Sequence, residues 1–194
     1  MNNSIKIVSI ILLLVCSWNV NAARQWGPTD AELRTLPPYC KAKLRKVSEA
    51  EKQVWKQRLG GGFGHIHHYC NALNFMRRAS KSWNDKQNQQ FNYNNARSDI
   101  EYMLNHTSPN YFMRPEFHVK LGEVLIQQGD GAKGAAEIKK AITQKVDYVP
   151  AYVALSNYYK RSGLMDMARE VLQQGLERVP NSKALKRRLK RLEK

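Results

Sequence analysis

Residues 149–182, VPAYVALSNYYKRSGLMDMAREVLQQGLERVPNS, decide the fold of this chain. The preceding stretch, residues 115–148, reads PEFHVKLGEVLIQQGDGAKGAAEIKKAITQKVDY and aligns with it at an offset of 34 residues without a gap. In each stretch a glycine, Gly129 or Gly163, separates two amphipathic segments. A repeat of this length is typical of stacked helical hairpins, each of which needs its neighbours to cover an apolar face.

The aligned positions fall into classes with distinct physical roles. Large apolar residues fill the space between two helices, and small residues let the helices approach each other closely. Gly129 and Gly163 supply the left-handed backbone that ends the first helix of each hairpin. The small pairs are Gly122 and Ser156, Gly134 and Ala168, and Ala141 and Gly175; the large pairs are Leu121 and Leu155, and Ile138 and Leu172.

These positions make residues 149–180 similar to a tetratricopeptide repeat (TPR). Residues 115–148 resemble a second copy, in which His118, Leu125 and Val146 replace the first aromatic residue, the tyrosine and the closing proline. The resemblance implies an all-α fold built as a short solenoid of TPR-like hairpins. The signature residues of the better copy are Tyr152, Leu155, Ser156, Tyr159, Gly163, Ala168, Leu172, Gly175 and Pro180.

Residues 65–114, which precede the two repeats, predict a third, degenerate helix pair. Its apolar residues recur at three- and four-residue steps, as on one face of a helix. The Asn- and Gln-rich stretch 84–95 is either a polar loop or the solvated extension of two long helices. The positions that match the repeat are Tyr69, Ala72, Leu73 and Met76 in the first helix and Ala96, Ile100 and Met103 in the second.

Residues 23–64 predict an irregular arm followed by a helical cap. Within the arm, the segment Thr29–Glu32 is able to cap one short helical turn. A helix is expected over residues 39–47. Ser48 with Glu51 three residues later predicts a reciprocal capping box at the start of the next helix, which a run of glycines ends.

Residues 183–194 predict a basic capping helix for the solenoid. Leu185, Leu189 and Leu192 share one face, and cations occupy the remainder. A terminal repeat needs such a cap, apolar inward and charged outward. The cations expected to face solvent, where they are able to dock an anionic partner, are Lys186, Arg187, Lys190 and Arg191.

Residues 1–22 have the three-part layout of a secretory signal. A short polar start with Lys6 precedes the apolar stretch 7–15, and small residues end the segment at Ala22. The alternatives are a retained N-terminal anchor and a lipoprotein signal at Cys16. We expect an exported protein, periplasmic if it is bacterial and secreted otherwise. No transmembrane segment is expected in the mature chain.

Export bears on the two cysteines of the mature chain, Cys40 and Cys70. Paired thiols become disulfides in an oxidising compartment, so we expect these two to be bonded. Closing a loop of about 30 residues would stabilise the fold by ~3 kcal/mol through chain entropy.

The charge balance indicates an acidic partner. The chain has 32 Lys and Arg against 16 Asp and Glu. Such a surface attracts anionic proteins, polysaccharides or lipid headgroups. Export argues against nucleic acid, and the alternative is that the charge serves solubility alone.

The resemblance also implies a site. In the family, the first helices of the hairpins line a groove that binds extended peptides or helices. The Asn and Arg content here is similar to that of members that hold a carboxylate through amides and cations, although the full pattern is absent; the alternative is a set of solvated polar residues. The implied groove residues are Asn74, Arg77, Arg78, Glu123, Gln127, Asn157, Lys160 and Arg161.

The remaining candidate chemistry lies in residues 60–70, GGGFGHIHHYC. His65 and His68 lie about one helical turn apart, with Cys70 nearby. Zinc prefers about four such ligands, and no second cluster supplies the rest. Cys70 activated by a histidine would be a nucleophile, but an exported thiol with a partner is more often oxidised. A third interpretation is structural, with the glycines forming a tight turn.

The sequence therefore predicts an extracytoplasmic TPR adaptor or scaffold for protein–protein interaction, with no enzymatic activity and no cofactor. In a bacterium it would suit envelope assembly, secretion or polysaccharide export. The alternative is a metal- or redox-linked periplasmic protein that uses His65, His68 and Cys70.

Overall fold

The computed structural model describes residues 26–192, and every regular element in that range is helical. The signal segment expected over residues 1–22 lies outside the described residues. No helix between residues 26 and 192 has the length and apolar character needed to cross a membrane. The helices are α1 Asp30–Leu33, α2 Pro38–Leu44, α3 Glu49–Leu59, a 3-10 helix Gly60–Gly64, α4 Ile66–Lys81, α5 Lys86–His106, α6 Arg114–Gln127, α7 Gly131–Gln144, α8 Val149–Arg161, α9 Met165–Arg178 and α10 Lys183–Leu192.

Three hairpins, α4/α5, α6/α7 and α8/α9, stack in chain order, and α10 packs on the last of them. The short α1, α2 and α3 cover the other end through contacts of α2 with α3 and α4. The expected all-α, TPR-like solenoid with a helical cap at each end is therefore confirmed.

The two regular hairpins turn through the same backbone motif. Gly129 has φ +93° and Gly163 has φ +77°, the left-handed region that a side chain would disfavour. After the first glycine, the Asp130 N–H donates to the Leu125 carbonyl at 2.9 Å, and the Leu164 N–H makes the equivalent bond at the same length. This is the Schellman pattern, which satisfies carbonyls at a helix end.

Small residues hold these helices close together, as the sequence predicted. A Cβ atom on Gly122 would lie 2.5 Å from the Gly134 carbonyl oxygen, and one on Gly134 would lie 2.6 Å from the Gly122 oxygen. In the last hairpin the Ser156 hydroxyl donates to the Ala168 carbonyl at 2.9 Å. The close contact is thus made by backbone in one repeat and by a buried hydroxyl in the next.

The polar stretch 84–95 is not a loop, because residues 86–95 form the first half of the long helix α5. The Asp85 side chain caps α5 by accepting from the Asn88 N–H at 2.9 Å. Further along, the Asn92 amide donates to the Asn88 carbonyl at 2.7 Å. The buried residues of this helix include Tyr93, Ala96, Ile100 and Met103, so a narrow apolar face is sufficient to seat it on α4.

The N-terminal cap differs from expectation in two details. Helix α2 begins at Pro38, which is favoured at a helix start, and it ends at Leu44 before the expected 47. Ser48 caps α3 through the Glu51 N–H at 3.2 Å. The complete reciprocal capping box lies instead between Thr29 and Glu32 in the arm.

The disulfide is confirmed: Cys40 in α2 is bonded to Cys70 in α4, with their Cα atoms 5.5 Å apart. Both cysteines are fully buried. The bond therefore ties the N-terminal cap to the first hairpin.

Helix α10 seals the other end as predicted. Leu185 is fully buried against α9, and Leu192 is nearly so. Leu189 is half-buried in the same core. The predicted solvent-facing cations Lys186, Arg187, Lys190 and Arg191 are all exposed.

Candidate binding groove

The first helices of the three hairpins form a groove that runs from the N-terminal arm to α10. Three adjoining cavities make it up. Met76 and Ser80 line both the first and the second cavity, and Asn157 lines both the second and the third. We refer to these cavities together as the groove.

The central cavity, of about 250 Å³, brings together four of the predicted groove residues. They come from two helices, α6 and α8, because positions that differ by 34 residues lie on the same side of successive first helices. The other lining residues give the cavity an apolar floor. The four predicted residues are Glu123, Gln127, Asn157 and Arg161; the rest are Met76, Ser80, Tyr93, Ile126 and Ala154.

The third cavity, between α8 and α10, joins Lys160 to the basic tail. Arg188 and Arg191 line it, with Asn157 at its border to the central cavity. Within residues 26–192 no carboxylate lies within 4.0 Å of these three cations. The C-terminal end of the groove is therefore strongly positive. Arg188 was not among the predicted tail contacts, although its three-residue spacing from Arg191 places both on one helical face.

At the other end, the N-terminal arm covers α4. Arg78 donates from Nε to Glu32 Oε1 at 2.7 Å and from Nη2 to Glu32 Oε2 at 2.8 Å. Its Nη2 also donates to the Gly27 carbonyl at 3.1 Å. Asn74 is only 1% exposed. The sequence treated Asn74 and Arg78 as groove surface, whereas the structure places the arm on them.

Arg77, the third residue predicted on α4, stays exposed. Its Nη1 donates to the Thr35 carbonyl at 3.2 Å, which fixes the end of the arm. It lines the first cavity together with Glu116 and Lys120 of α6. This part of the groove carries mixed charge, in contrast to the cationic end beside α10.

The ion pair under the arm determines how Glu32 titrates. Hydrogen bonds from Arg78 outweigh desolvation and, with the Thr29 N–H, lower the pKa of the Glu32 carboxyl to about 2. Both side chains are roughly three-quarters buried. The arm is therefore held by a charged contact that persists through the neutral and mildly acidic range.

The central cavity has one titratable neighbour that the sequence did not single out. Tyr93 of α5 lines it, and burial raises the pKa of this phenol more than the positive charge of Arg161 lowers it. The apolar period of α5 gave a signal that Tyr93 faces inward. It did not indicate that Tyr93 also lines the groove.

The histidine segment makes a polar and aromatic cluster away from the groove. His68 Nδ1 lies 2.6 Å from Asp99 Oδ1, and the His68 ring stacks on Tyr102 with centroids 3.8 Å apart. His65 Nδ1 lies 3.2 Å from the Tyr102 hydroxyl. Burial of Asp99 raises the pKa of its carboxyl despite the bond to His68. These contacts connect α4 to α5.

The cluster does not assemble the ligands that the alternative function needs. Among residues 26–192, no three His, Cys, Asp or Glu side chains are placed to share a metal ion. The sulfur of Cys70 is bonded to Cys40 and provides neither a thiolate ligand nor a nucleophile.

Comparison with known proteins finds similar solved structures but no match by sequence family. No protein-family model matches the chain, and no curated protein matches it. Among solved structures, the first TPR domain of Spaghetti (RPAP3), bound to the HSP90 peptide SRMEEVD, is similar at a TM-score of 0.44 and 16% identity. The match covers 63% of this chain and 92% of that one.

Proposed function

We propose that this protein is a binding module that holds a segment of a partner protein in the groove. The observation that carries this proposal is the central cavity, where an apolar floor containing Met76 and Ile126 lies beneath exposed polar side chains. Binding sites commonly combine apolar contact with a few placed polar groups.

The length of the groove favours a peptide segment over a small molecule. Its three cavities adjoin through shared residues and extend across α4, α6, α8 and α10. An extended chain or a helix contacts several such cavities in succession, as in helix-in-groove recognition.

Charge favours an acidic segment. The mature chain would carry 31 Lys and Arg against 16 Asp and Glu, since Lys6 is the only charged residue of 1–22. The cationic end of the groove would attract an acidic partner and accelerate encounter. An acidic polysaccharide or a membrane surface would be attracted to the basic tail in the same way. Neither would place an apolar side chain against Met76 and Ile126 in the central cavity.

The setting we propose is extracytoplasmic. A buried disulfide is stable where the compartment is oxidising, and the 1–22 layout supplies a route there. In a bacterium this would be the periplasm, and the partner would belong to envelope assembly, secretion or polysaccharide export. N-terminal sequencing of the protein recovered outside the cytoplasm should begin at Ala23.

Site-specific photo-crosslinking tests the groove. A photo-reactive amino acid at Gln127, in the central cavity, should capture a partner protein in the cells that naturally express the chain. The same group at Lys139, which is exposed on α7 outside the groove lining, is the matched control. Equal capture from both positions, or none from Gln127, would contradict a groove-binding function.

A further inference from the structure

The side chains that hold the arm on α4 recur at equivalent positions on α8. Under an alignment of α4 with α8 at an offset of 83 residues, Tyr69 matches Tyr152, and both are buried. The same offset pairs Asn74 with Asn157, Arg77 with Lys160 and Arg78 with Arg161. The first and last hairpins therefore carry the same polar side chains at the same helical positions. The middle hairpin does not, because Glu123 and Gln127 stand at the Asn and Arg positions.

On α4 the arginine of this pair holds a carboxylate, and the asparagine positions the arginine. The Asn74 amide, oriented with its oxygen toward Arg78, accepts from Nε and Nη2 at 3.2 Å. The guanidinium is thereby fixed and donates to both oxygens of Glu32. A two-pronged bond from arginine to a carboxylate is among the stronger hydrogen-bonded contacts in proteins.

The bound carboxylate belongs to a capped helical turn rather than to a chain end. Glu32 Oε2 also accepts from the Thr29 N–H at 2.8 Å, and Thr29 Oγ1 accepts from the Glu32 N–H at 3.2 Å. The chain continues on both sides of this turn. The ligand on α4 is thus an internal Thr-x-x-Glu sequence that begins a helix.

On α8 the same pair is open. Asn157 and Arg161 are both exposed and line the central cavity. No carboxylate within residues 26–192 lies within 4.0 Å of Arg161. The surroundings are also more positive than on α4, because Lys160, Arg188 and Arg191 line the adjoining cavity.

We propose that Arg161, positioned by Asn157, binds the glutamate side chain of a capped helical turn, of the form Thr- or Ser-x-x-Glu, in a partner protein. The inference rests on the proposed function and names the partner's chemistry: an acidic helix start that resembles this chain's own arm. The arm already occupies the equivalent pair on α4, so the free protein offers this chemistry on α8.

The probe is a peptide of the arm itself, residues 26–36, WGPTDAELRTL, with acetylated and amidated ends. It is titrated into the full mature protein with its disulfide intact, followed by nuclear magnetic resonance of the side-chain N–H groups. We expect saturable shifts of the Asn157 and Arg161 signals. Arg161→Gln and Asn157→Ala should each weaken binding at least about fivefold, the loss expected for a charge-assisted bond, and Lys139→Gln should not.

Two peptide controls separate a side-chain carboxylate from other anions. The peptide with Glu32→Gln should shift neither signal, and adding a free C-terminal carboxylate to that peptide should not restore binding. The inference is overturned if the arm peptide leaves both signals unmoved, if the Gln peptide binds equally, or if Arg161→Gln has no effect. It is also overturned if a sulfated polysaccharide shifts the Asn157 and Arg161 signals and the arm peptide does not. Continued crosslinking from Gln127 would in those cases leave the groove function standing.

Discussion

The two halves of the molecule are stabilised in different ways. From Arg114 to the end of α10, the hairpins repeat and are held by small residues in close contact and by buried leucines. Before Arg114 the repeat is degenerate, and specific bonds connect the parts: the Cys40–Cys70 disulfide, the Glu32–Arg78 ion pair and the His68–Asp99 contact.

The difference shows what replaces repetition at the start of a solenoid. A regular repeat buries its exposed face against the next copy. Between residues 26 and 65 no earlier copy of the repeat precedes α4, and the arm covers Phe75, on which Trp26 packs edge-on at 5.4 Å between ring centroids. This cover has irregular backbone, so it needs polar and covalent bonds to fix it.

The largest expected effect is a loss of stability in the regular half of the molecule, from Arg114 to the end of α10. Gly122→Val would place side-chain atoms against the Gly134 carbonyl and Ile138, at 2.5 and 2.6 Å from the first carbon alone. Because the obstructing atoms include backbone, we expect a loss above about 3 kcal/mol in the free energy of unfolding. Denaturant unfolding measures it. Hydrogen exchange should show the loss concentrated in α6 to α10.

Gly61→Ala is the matched control, since nothing lies within 4 Å of a Cβ atom at Gly61 and its φ is not positive. It should change stability by less than about 1 kcal/mol. A comparable loss in both variants would contradict the role of close helix contact in the repeats.

The next largest expected effect is a loss of stability in the N-terminal half when the disulfide is removed. Replacing Cys40 and Cys70 with serine removes the constraint on a loop of 30 residues and should cost about 3 kcal/mol. Exchange should increase in α1 to α4, while α8 to α10 keep their protection, because contacts in a solenoid are local. Uniform loss of protection along the chain would show that the two halves unfold as one unit.

The helices and turns of the regular half could be predicted because residues close in sequence determine each of them. Gly129 and Gly163 mark the hairpin turns, and the leucines of α10 mark its buried face. Such signals act within one or two turns of the residues that carry them. The same reasoning located the Asn157 and Arg161 side chains in a common cavity.

The arm could not be predicted in the same way. Its contacts depend on Glu32 meeting Arg78 at a separation of 46 residues, and no periodic pattern links the two. The sequence also could not decide where α5 begins, because asparagines are favoured in loops and helix caps. Asn92 and Asn95 remain helical here by bonding carbonyls one turn earlier.

A smaller effect tests the ion pair that holds the arm. Glu32→Gln should cost about 1.5–3 kcal/mol, the range for hydrogen bonds to a charged group. Faster exchange of the arm amides should accompany it. Asp30→Asn is the matched control, since its ion pair with Arg45 is largely exposed and should contribute little.

The same ion pair gives a pH dependence of known sign. The pKa of Glu32 is lowered from 4.5 to about 2 in the folded protein. Its contribution is therefore complete above about pH 4.5 and is lost as the pH falls toward 2. The difference in stability between the native protein and Glu32→Gln should shrink over that window. A difference that stays constant to pH 2 would contradict the charged contact.

The smallest expected effect concerns the basic tail. Replacing Lys186, Arg187, Lys190 and Arg191 with glutamine should change the free energy of unfolding by less than about 0.5 kcal/mol, because these exposed cations make no ion pairs within residues 26–192. The buried Leu185 and Leu192 keep α10 in place.

Affinity for the acidic arm peptide should nevertheless decrease and depend less on salt, since fewer charges remain to be screened. Calorimetric unfolding and salt titrations distinguish the two roles. A variant that melts much earlier would show that the cations themselves support the cap, and an unchanged salt dependence would show that the tail takes no part in attracting the partner.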